Sequence, residues 1–412
     1  MLPLRVALVG CGKVANIHAA ALRSLPDVEF VAVCDVSAER ADAFAAKYGV
    51  RPFTDLGTML RDARQDVLII GTPHPLHAEA AIRAAEAGVH VLVEKPLAAN
   101  LADCDAMLAA ARKSGVTLGA ISQRRFYEPV LRMKRAIDEG KIGAPALGVF
   151  IQYSWRDAAY YRSDPWRGKW DTEGGGVLVN QSPHQLDILL WLMGPALEVS
   201  GYWANLNHPT VEVDDTAVAS IRFKNGGVGS IITSLSQKPG IYTKVHIHGT
   251  SGASVGVETD RGATFIAGVS EIAEPPLTDL WTVPGEEGQL AGFQASDRAA
   301  FARVNATTHY HALQIADFLA AVRENRPPLV TGEAGRDVVE LFSAIYQSSR
   351  ERRAVTLPMA RPEETWAVWR TDDTGNTFAV RERLTHAEAL QVVAEFEARG
   401  HKQTYYAERE KR

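Results

Sequence analysis

Four side chains able to do chemistry stand at two places far apart in the chain. Lys95 lies in the tripeptide Glu94-Lys95-Pro96, and Asn180, His184 and Asp187 lie in GGGVLVNQSPHQLD (174–187). A neutral imidazole takes up a proton, and an ammonium donates hydrogen bonds to an oxygen gathering negative charge. The pair suits a reaction in which a hydroxyl loses its proton, provided both groups reach one crevice. Lys95 follows the apolar run VHVLV, so its stem leaves the core and its ammonium points beyond that strand. Partial burial, or a positive charge nearby, lowers the pKa of such a lysine. The plainer alternative is a surface Glu94–Lys95 pair at a strand end. Ser182-Pro183-His184-Gln185 reads as a capping box, with serine as N-cap, proline at the first helical position, Gln185 reaching back and His184 in the first turn. The positive helix end disfavours imidazolium, and Asp187, three residues on, is placed to orient the ring. Alternatively the helix begins at the glycines, with Asn180 and His184 on one face and Pro183 as a kink. The plainer reading of His184 is a core histidine satisfied by Asp187.

The elements that would position these groups are legible in the first 123 residues. LRVALVGCG is an apolar run suited to a strand buried on both faces, and it enters a helix through G-x-G-x-x-A, with Gly10, Gly12 and Ala15. Gly10 permits the tight turn, Gly12 lets the backbone approach a pyrophosphate, and Ala15 allows close helix–strand packing. A second strand, VEFVAVCD, ends in Asp35, 20 residues after Ala15, the spacing of a carboxylate that accepts a ribose 2′-hydroxyl. A carboxylate there repels a 2′-phosphate, which favours NAD over NADP; Arg40 softens that preference. DVLIIGTP, VHVLVEKP and VTLGAIS read as further strands, alternating with HAEAAIRAAEAG and LADCDAMLAAARKSG as helices. The pattern implies a doubly wound parallel sheet of Rossmann type, with ligands beyond the carboxyl ends of its strands. Thr72-Pro73, Glu94-Lys95-Pro96 and Ser122-Gln123-Arg124-Arg125 sit at those ends, and the Lys95–Pro96 bond is open to the cis form.

A length of 412 residues suggests two or three domains. The net charge of −5 argues against a nucleic-acid or anionic-membrane surface, and no apolar run approaches the ~18 residues that span a bilayer. The start has no signal-peptide pattern, and Cys11, Cys34 and Cys104 match no metal-ligand spacing. We expect no metal, reduced thiols and a cytoplasmic protein. From residue 124 the pattern changes to antiparallel strands (145–155, 216–236, 242–258), with a hairpin at NGG (225–227). His246 and His248 share a face and read as structural or interface residues. Tyr153, Trp155, Tyr160, Tyr161 and Trp170 suit sugar stacking or plain packing. Residues 259–307 read as an irregular loop over the site, and 308–330 as a helix. The last 52 residues, 361–412, read as a small ββαβ appendage, its helix N-capped by Thr385 and closed by Gly400.

GCGKVA, TPHPLH (72–77), AGVHVLVEKPL (87–97) and GGGVLVNQSPHQLDILLWLMG (174–194) together resemble the Gfo/Idh/MocA oxidoreductases over about residues 4–358. The resemblance implies an N-terminal Rossmann domain (1–123) and a C-terminal α/β domain (124–360) with a large, mostly antiparallel open sheet. The face of that sheet would pair copies into a homodimer or homotetramer. It implies NAD as cofactor, with NADP possible, and a sugar or cyclitol as substrate. Gly10, Gly12, Ala15 and Asp35 would hold the adenosine side, and Lys13, Val14 and Arg40 would also bind the cofactor. Thr72, Pro73, His74, His77, Glu94, Lys95 and Gln123 would lie along the rest of the cofactor, with Trp166 and Arg167 near the nicotinamide. His184 would be the acid/base and Lys95 would touch the reacting oxygen. Arg125, Tyr153, Asn180 and His309 (or its neighbour Tyr310) would contact substrate. Two positions depart from the family pattern: Asn180 stands where aspartate is usual, so it positions by hydrogen bonds and relays no proton, and His74 stands where asparagine is commoner. A sugar or cyclitol dehydrogenase is the first expectation. A glycoside-processing enzyme that recycles tightly held NAD, and a non-catalytic NAD/sugar-binding regulator, are the alternatives.

Overall fold

The computed structural model describes residues 2–260, 270–359, 366–372, 374–384, 386–398 and 403–409. The chain divides into two compact units, Met1–Pro358 and Met359–Arg412.

In the first unit, short apolar runs ended by turns make a parallel sheet of β1 (Leu4–Val9), β2 (Val28–Cys34), β3 (Arg51–Phe53), β4 (Val67–Ile70), β5 (His90–Val93) and β6 (Leu118–Ala120). Their order is β3-β2-β1-β4-β5-β6, so the chain direction switches between β1 and β4 and opens a crevice at their carboxyl ends. The expected doubly wound sheet is present. Edge strand β3 went unread because RPF is three residues long and contains proline. Cys11, Cys34 and Cys104 are all buried free thiols.

The second sheet holds β7 (Pro145–Tyr153), β8 (Ala196–Ala204), β9 (Thr216–Phe223), β10 (Val228–Ser234), β11 (Tyr242–Gly249), β12 (Ser254–Asp260), β13 (Leu277–Trp281) and β14 (Val355–Thr356). Its order is β13-β12-β11-β7-β10-β9-β8-β14, antiparallel throughout except between β7 and β10. The NGG turn joins β9 to β10, with Gly226 at φ +88°. His246 and His248 share a face of β11; one bonds Asp279, the other Ser254. The stretch 259–307 is more ordered than expected: β13 and helix Leu290–Phe301 occupy it, hidden from a sequence reading by interspersed glycine and proline. Residues 261–269 of that stretch lie outside the described residues.

Helix Ala306–Glu324 then returns to the first sheet. Ile315, Phe318 and Leu319 pack with Val6, Leu22, Val67, Ile69, Leu92 and Ile121 in one apolar cluster, each fully buried large side chain contributing roughly 1.5–3 kcal/mol. This shared core ties helix Ala306–Glu324, which follows β13 and helix Leu290–Phe301, to the first sheet's strands β1, β4 and β5.

The second unit has β15 (Trp366–Thr371), β16 (Thr377–Leu384) and β17 (Thr404–Arg409) in the order β16-β15-β17, with helix His386–Glu397 packed on Val368 through Ala389 and Val392. This is the expected ββαβ arrangement; Thr385 and Gly400 lie outside the described residues.

Candidate active site

The glycine turn after β1 is shaped for a phosphate. Gly10 sits at φ +89°, and a Cβ there would lie 2.9 Å from the main chain of Gly71 and Thr72. A Cβ on Gly12 would meet nothing within 4 Å, so open space lies in front of it, at the start of helix Lys13–Ser24. Ala15 packs beneath with Leu8, Val33 and Phe44. Asp35 accepts hydrogen bonds from the main-chain N–H of Cys11 and Ser37, both at 2.9 Å, and from Arg40 Nε and Nη2 at 3.1 and 2.8 Å. Burial raises its pKa, but the bonds from Arg40, Ser37 and Cys11 outweigh that and hold it below the ordinary aspartate value. Gly12, Lys13, Val14, Thr72, Pro73, His74, Glu94, Lys95 and Gln123 all line one cleft. Thr72 Oγ1 and Gln123 Oε1 are buried there without a partner among the described residues. An open cradle at Gly12, a helix N-terminus and unmatched polar atoms fit a dinucleotide.

His77 is a different matter. It is fully buried outside the lining, with Nε2 2.9 Å from the Thr72 carbonyl and Nδ1 3.1 Å from that of Pro96. It braces the end of β4 against the loop after β5 and does not face the cofactor space. His74 does face the cleft. Its Nε2 bonds the Glu173 carbonyl, its ring meets Trp166 edge-on at 5.5 Å, and burial pushes its pKa down to about 3.

Lys95 follows β5, its bond to Pro96 is cis, and its ammonium reaches across to the second domain. Nζ donates to the Asn180 carbonyl at 2.8 Å and faces Asn180 Oδ1 at 3.4 Å. Burial lowers its pKa, Glu94 opposes that, and the charges of Arg167 and Arg124 add to it, leaving it at about 8. Glu94 is turned inward: it accepts from the Lys95 main-chain N–H at 3.0 Å and pairs with buried His18 at 2.8 Å. The surface Glu94–Lys95 pair is therefore excluded.

His184 and Asn180 owe their positions to the glycines before them. A Cβ on Gly176 would overlap the Asp214 carbonyl at 1.9 Å; only glycine lets the chain run this close. Asp214 accepts from the N–H of Gly176 and Leu178 at 2.7 and 3.1 Å and from Tyr346 OH at 2.6 Å. One wide, π-type turn, Val177–Gln181, follows and runs into helix Pro183–Met193. Both expected starts are thus partly present. The capping box is not: Ser182 already has helical backbone angles, and its hydroxyl lies 2.9 Å from Thr233 Oγ1 and 3.3 Å from Gln152 Oε1. Gln185 bonds Thr259 at 3.1 Å. His184 lines the cleft at 8% exposure, with Nδ1 unpartnered among the described residues. Burial first, then the charges of Arg124 and Lys95, hold its pKa well below the ordinary value. Asn180 Nδ2 donates to Glu173 Oε1 at 2.5 Å and to Tyr160 OH at 3.3 Å, so Asn180 anchors Lys95 rather than His184.

Asp187 does not orient His184. It is held by Arg125 Nε and Nη2 at 2.7 and 2.5 Å and by Ser122 Oγ at 2.5 Å. Arg125, expected at the substrate, is spent in this buried pair and donates to the Leu329 carbonyl at 3.0 Å. Its neighbour Arg124 takes the cleft position. Tyr153 also misses, because side chains alternate along a strand. Gln152 and Ser154 line the cleft while Tyr153 meets Tyr242 at 5.5 Å. His309 packs on Tyr310, and Tyr310 on Tyr127, so neither reaches the cleft; His311 does. Trp166 and Arg167 line the cleft, the guanidinium 4.4 Å from the Trp166 and Tyr160 ring centroids. Of the candidate stacking aromatics only Tyr160 lines the cleft. Trp170 packs on Trp203 and Tyr346, and Tyr161 on His208. The alternation that placed Gln152 was available in the sequence; the pairing of Arg124 with Asp260 at 2.5 Å, across 136 residues, was not.

Residues 4–121 match the family model for the oxidoreductase family with an NAD-binding Rossmann fold, and residues 130–255 match the GFO/IDH/MocA C-terminal domain. The chain belongs to the Gfo/Idh/MocA oxidoreductase family. It is 28% identical to myo-inositol 2-dehydrogenase of Thermotoga maritima, covering 86% of this chain and 98% of that one. It is 27% identical to the NAD(+)-dependent scyllo-inositol 2-dehydrogenase of Bacillus subtilis, covering 87% and 97%. Among solved structures, the WlbA dehydrogenase of Bordetella pertussis in complex with NADH and UDP-GlcNAcA matches with a TM-score of 0.77 at 29% identity, covering 87% of this chain and 99% of that one. The first domain is therefore an NAD-binding Rossmann domain, and the protein is an oxidoreductase of the sugar and cyclitol dehydrogenase family. No described helix is long and apolar enough to cross a membrane.

Proposed function

We propose that the protein transfers hydride reversibly between a nicotinamide cofactor and a secondary hydroxyl or ketone of a sugar, sugar derivative or cyclitol, using Lys95 and His184. The observation that carries this reading is that these two groups, from different domains, line the same cleft as the glycine turn. The bound dinucleotide supplies the hydride acceptor. In oxidation His184 accepts the hydroxyl proton, which its lowered pKa permits because the ring is neutral at pH 7. Lys95, protonated below about pH 8, donates to the same oxygen as negative charge gathers there. Asn180 fixes the ammonium, while Trp166 and Arg167 line the same cleft. NAD is preferred to NADP because the ionised Asp35 repels a 2′-phosphate. Exposed Leu147, Val218 and Val228 on β7, β9 and β10 suit pairing of that sheet with a second copy, as a homodimer or homotetramer.

The test is a panel of sugars and cyclitols with NAD and NADP, read by net NADH formation. At least one substrate should give turnover, which His184→Ala and Lys95→Ala should each reduce severely while NADH still binds. Undiminished turnover in either variant would overturn the catalytic assignment.

A further inference from the structure

The polar wall beyond Lys95 and His184 is built around charge. Arg124 follows β6, Arg156 follows β7 and Asp260 ends β12, and all three line the cleft. Arg124 Nη1 donates to Asp260 Oδ2 at 2.5 Å and to Thr259 Oγ1 at 3.0 Å. Arg156 donates to the Trp155 carbonyl at 3.2 Å and hydrogen-bonds Tyr160, whose ring centroid lies 5.0 Å from the guanidinium. Asp164 pairs with both Lys13 and Arg167 at 3.1 Å, and Glu94 points away toward His18. The cleft lining carries five lysine and arginine side chains against three carboxylates, although the whole chain is net negative.

Two guanidiniums in one cleft wall are an expensive way to hold neutral hydroxyls. Uncharged amides and hydroxyls would do so without burying charge. Burial penalises the Arg156 cation, and the positive field of Arg124 acts on both Lys95 and His184. A ligand anion relieves both, and a guanidinium offers a planar, charge-assisted fork for a carboxylate or phosphate. We infer that the substrate carries an anionic group, a carboxylate or phosphate borne by the sugar, and that Arg156 receives it beside the Arg124–Asp260 pair. This rests on the dehydrogenase reading above and narrows its substrate class.

The test is calorimetric titration of the NADH-loaded protein with matched sets: glucuronate, galacturonate and mannuronate, the parent hexoses, and the hexose 6-phosphates. At least one anionic member should bind tenfold or more tighter than its neutral parent, and that advantage should shrink with added salt. The set that shows the advantage separates a carboxylate from a phosphate. Arg156→Gln should remove the preference and Arg156→Lys should keep part of it, with NADH affinity and melting temperature unchanged in both. The inference is overturned if neutral parents bind as tightly as their anions, if no anionic member binds, or if Arg156→Gln weakens neutral and anionic sugars equally. Anion-selective binding without NADH formation from any sugar would overturn the dehydrogenase reading instead, since the titration does not depend on turnover.

Discussion

The two ends of the cleft are made of different material. The dinucleotide end is mostly main chain: the Gly10–Gly12 turn, the first N–H groups of helix Lys13–Ser24, and the strand ends at Gly71 and Thr72. The end around Lys95 and His184 is side chain held by side chain. Lys95 leans on Asn180, Asn180 on Glu173 and Tyr160, Arg124 on Asp260, and the base of helix Pro183–Met193 on the Arg125–Asp187 pair. A main-chain site is sensitive to backbone angles and to the volume of a single Cβ, and indifferent to most other changes. A side-chain site is sensitive two layers deep, because each side chain at its surface is positioned by a second side chain.

The sharpest separation of the two ends comes from His184→Ala and Lys95→Ala. In the proposed roles each removes a proton-handling or oxygen-stabilising group, so turnover should fall about 10²–10⁴-fold. NADH binding, governed by the other end, should stay close to wild type by fluorescence titration. Parallel loss of cofactor affinity would mean that the ends are not separable. Next in size is Asp187→Ala, which leaves the Arg125 guanidinium buried without its carboxylate. Breaking one side of such a pair costs about 3–5 kcal/mol, read as a lower denaturant midpoint. An unchanged midpoint would show that the end around Lys95 and His184 does not rest on this layer. Gly10→Ala attacks the main-chain end through φ +89° and the 2.9 Å contact with Gly71. Backbone strain of this kind costs about 1–3 kcal/mol and should weaken NADH binding, the reverse of the His184 pattern.

The same division explains what could be read in the sequence. Main-chain sites announce themselves locally: G-x-G-x-x-A, the strand before it and Asp35 after it are contiguous, and their spacing is fixed by one βαβ unit. Lys95 was legible because a lone lysine after an apolar strand has few other places to go. The second layer was not. Whether Arg124 or Arg125 entered the cleft depended on the turn after β6, and Asp187 was claimed by Arg125 from 62 residues away. His77 shows the opposite error. A histidine close to the cofactor motifs faces inward, where carbonyls at Thr72 and Pro96 hold it. Residue type suggested a ligand, and only packing could say otherwise.

The smallest expected effect is the most specific. Asn180→Ala removes the Oδ1 that faces Lys95 at 3.4 Å but leaves the main-chain carbonyl at 2.8 Å. Lys95 should keep its place but lose part of what favours its charged form. About tenfold in turnover, or ~1.4 kcal/mol, is the scale expected for one such interaction. The sign of the pH effect follows from the role. In the proposed role Lys95 acts as the ammonium, so oxidation should decline as pH rises through about 8, and losing an acceptor for that ammonium moves the decline to lower pH. If Asn180 instead oriented His184, the variant would alter the acidic limb and leave the alkaline one in place. A pH–rate profile of the variant beside the wild type therefore tells which of the two catalytic groups the departure from aspartate serves.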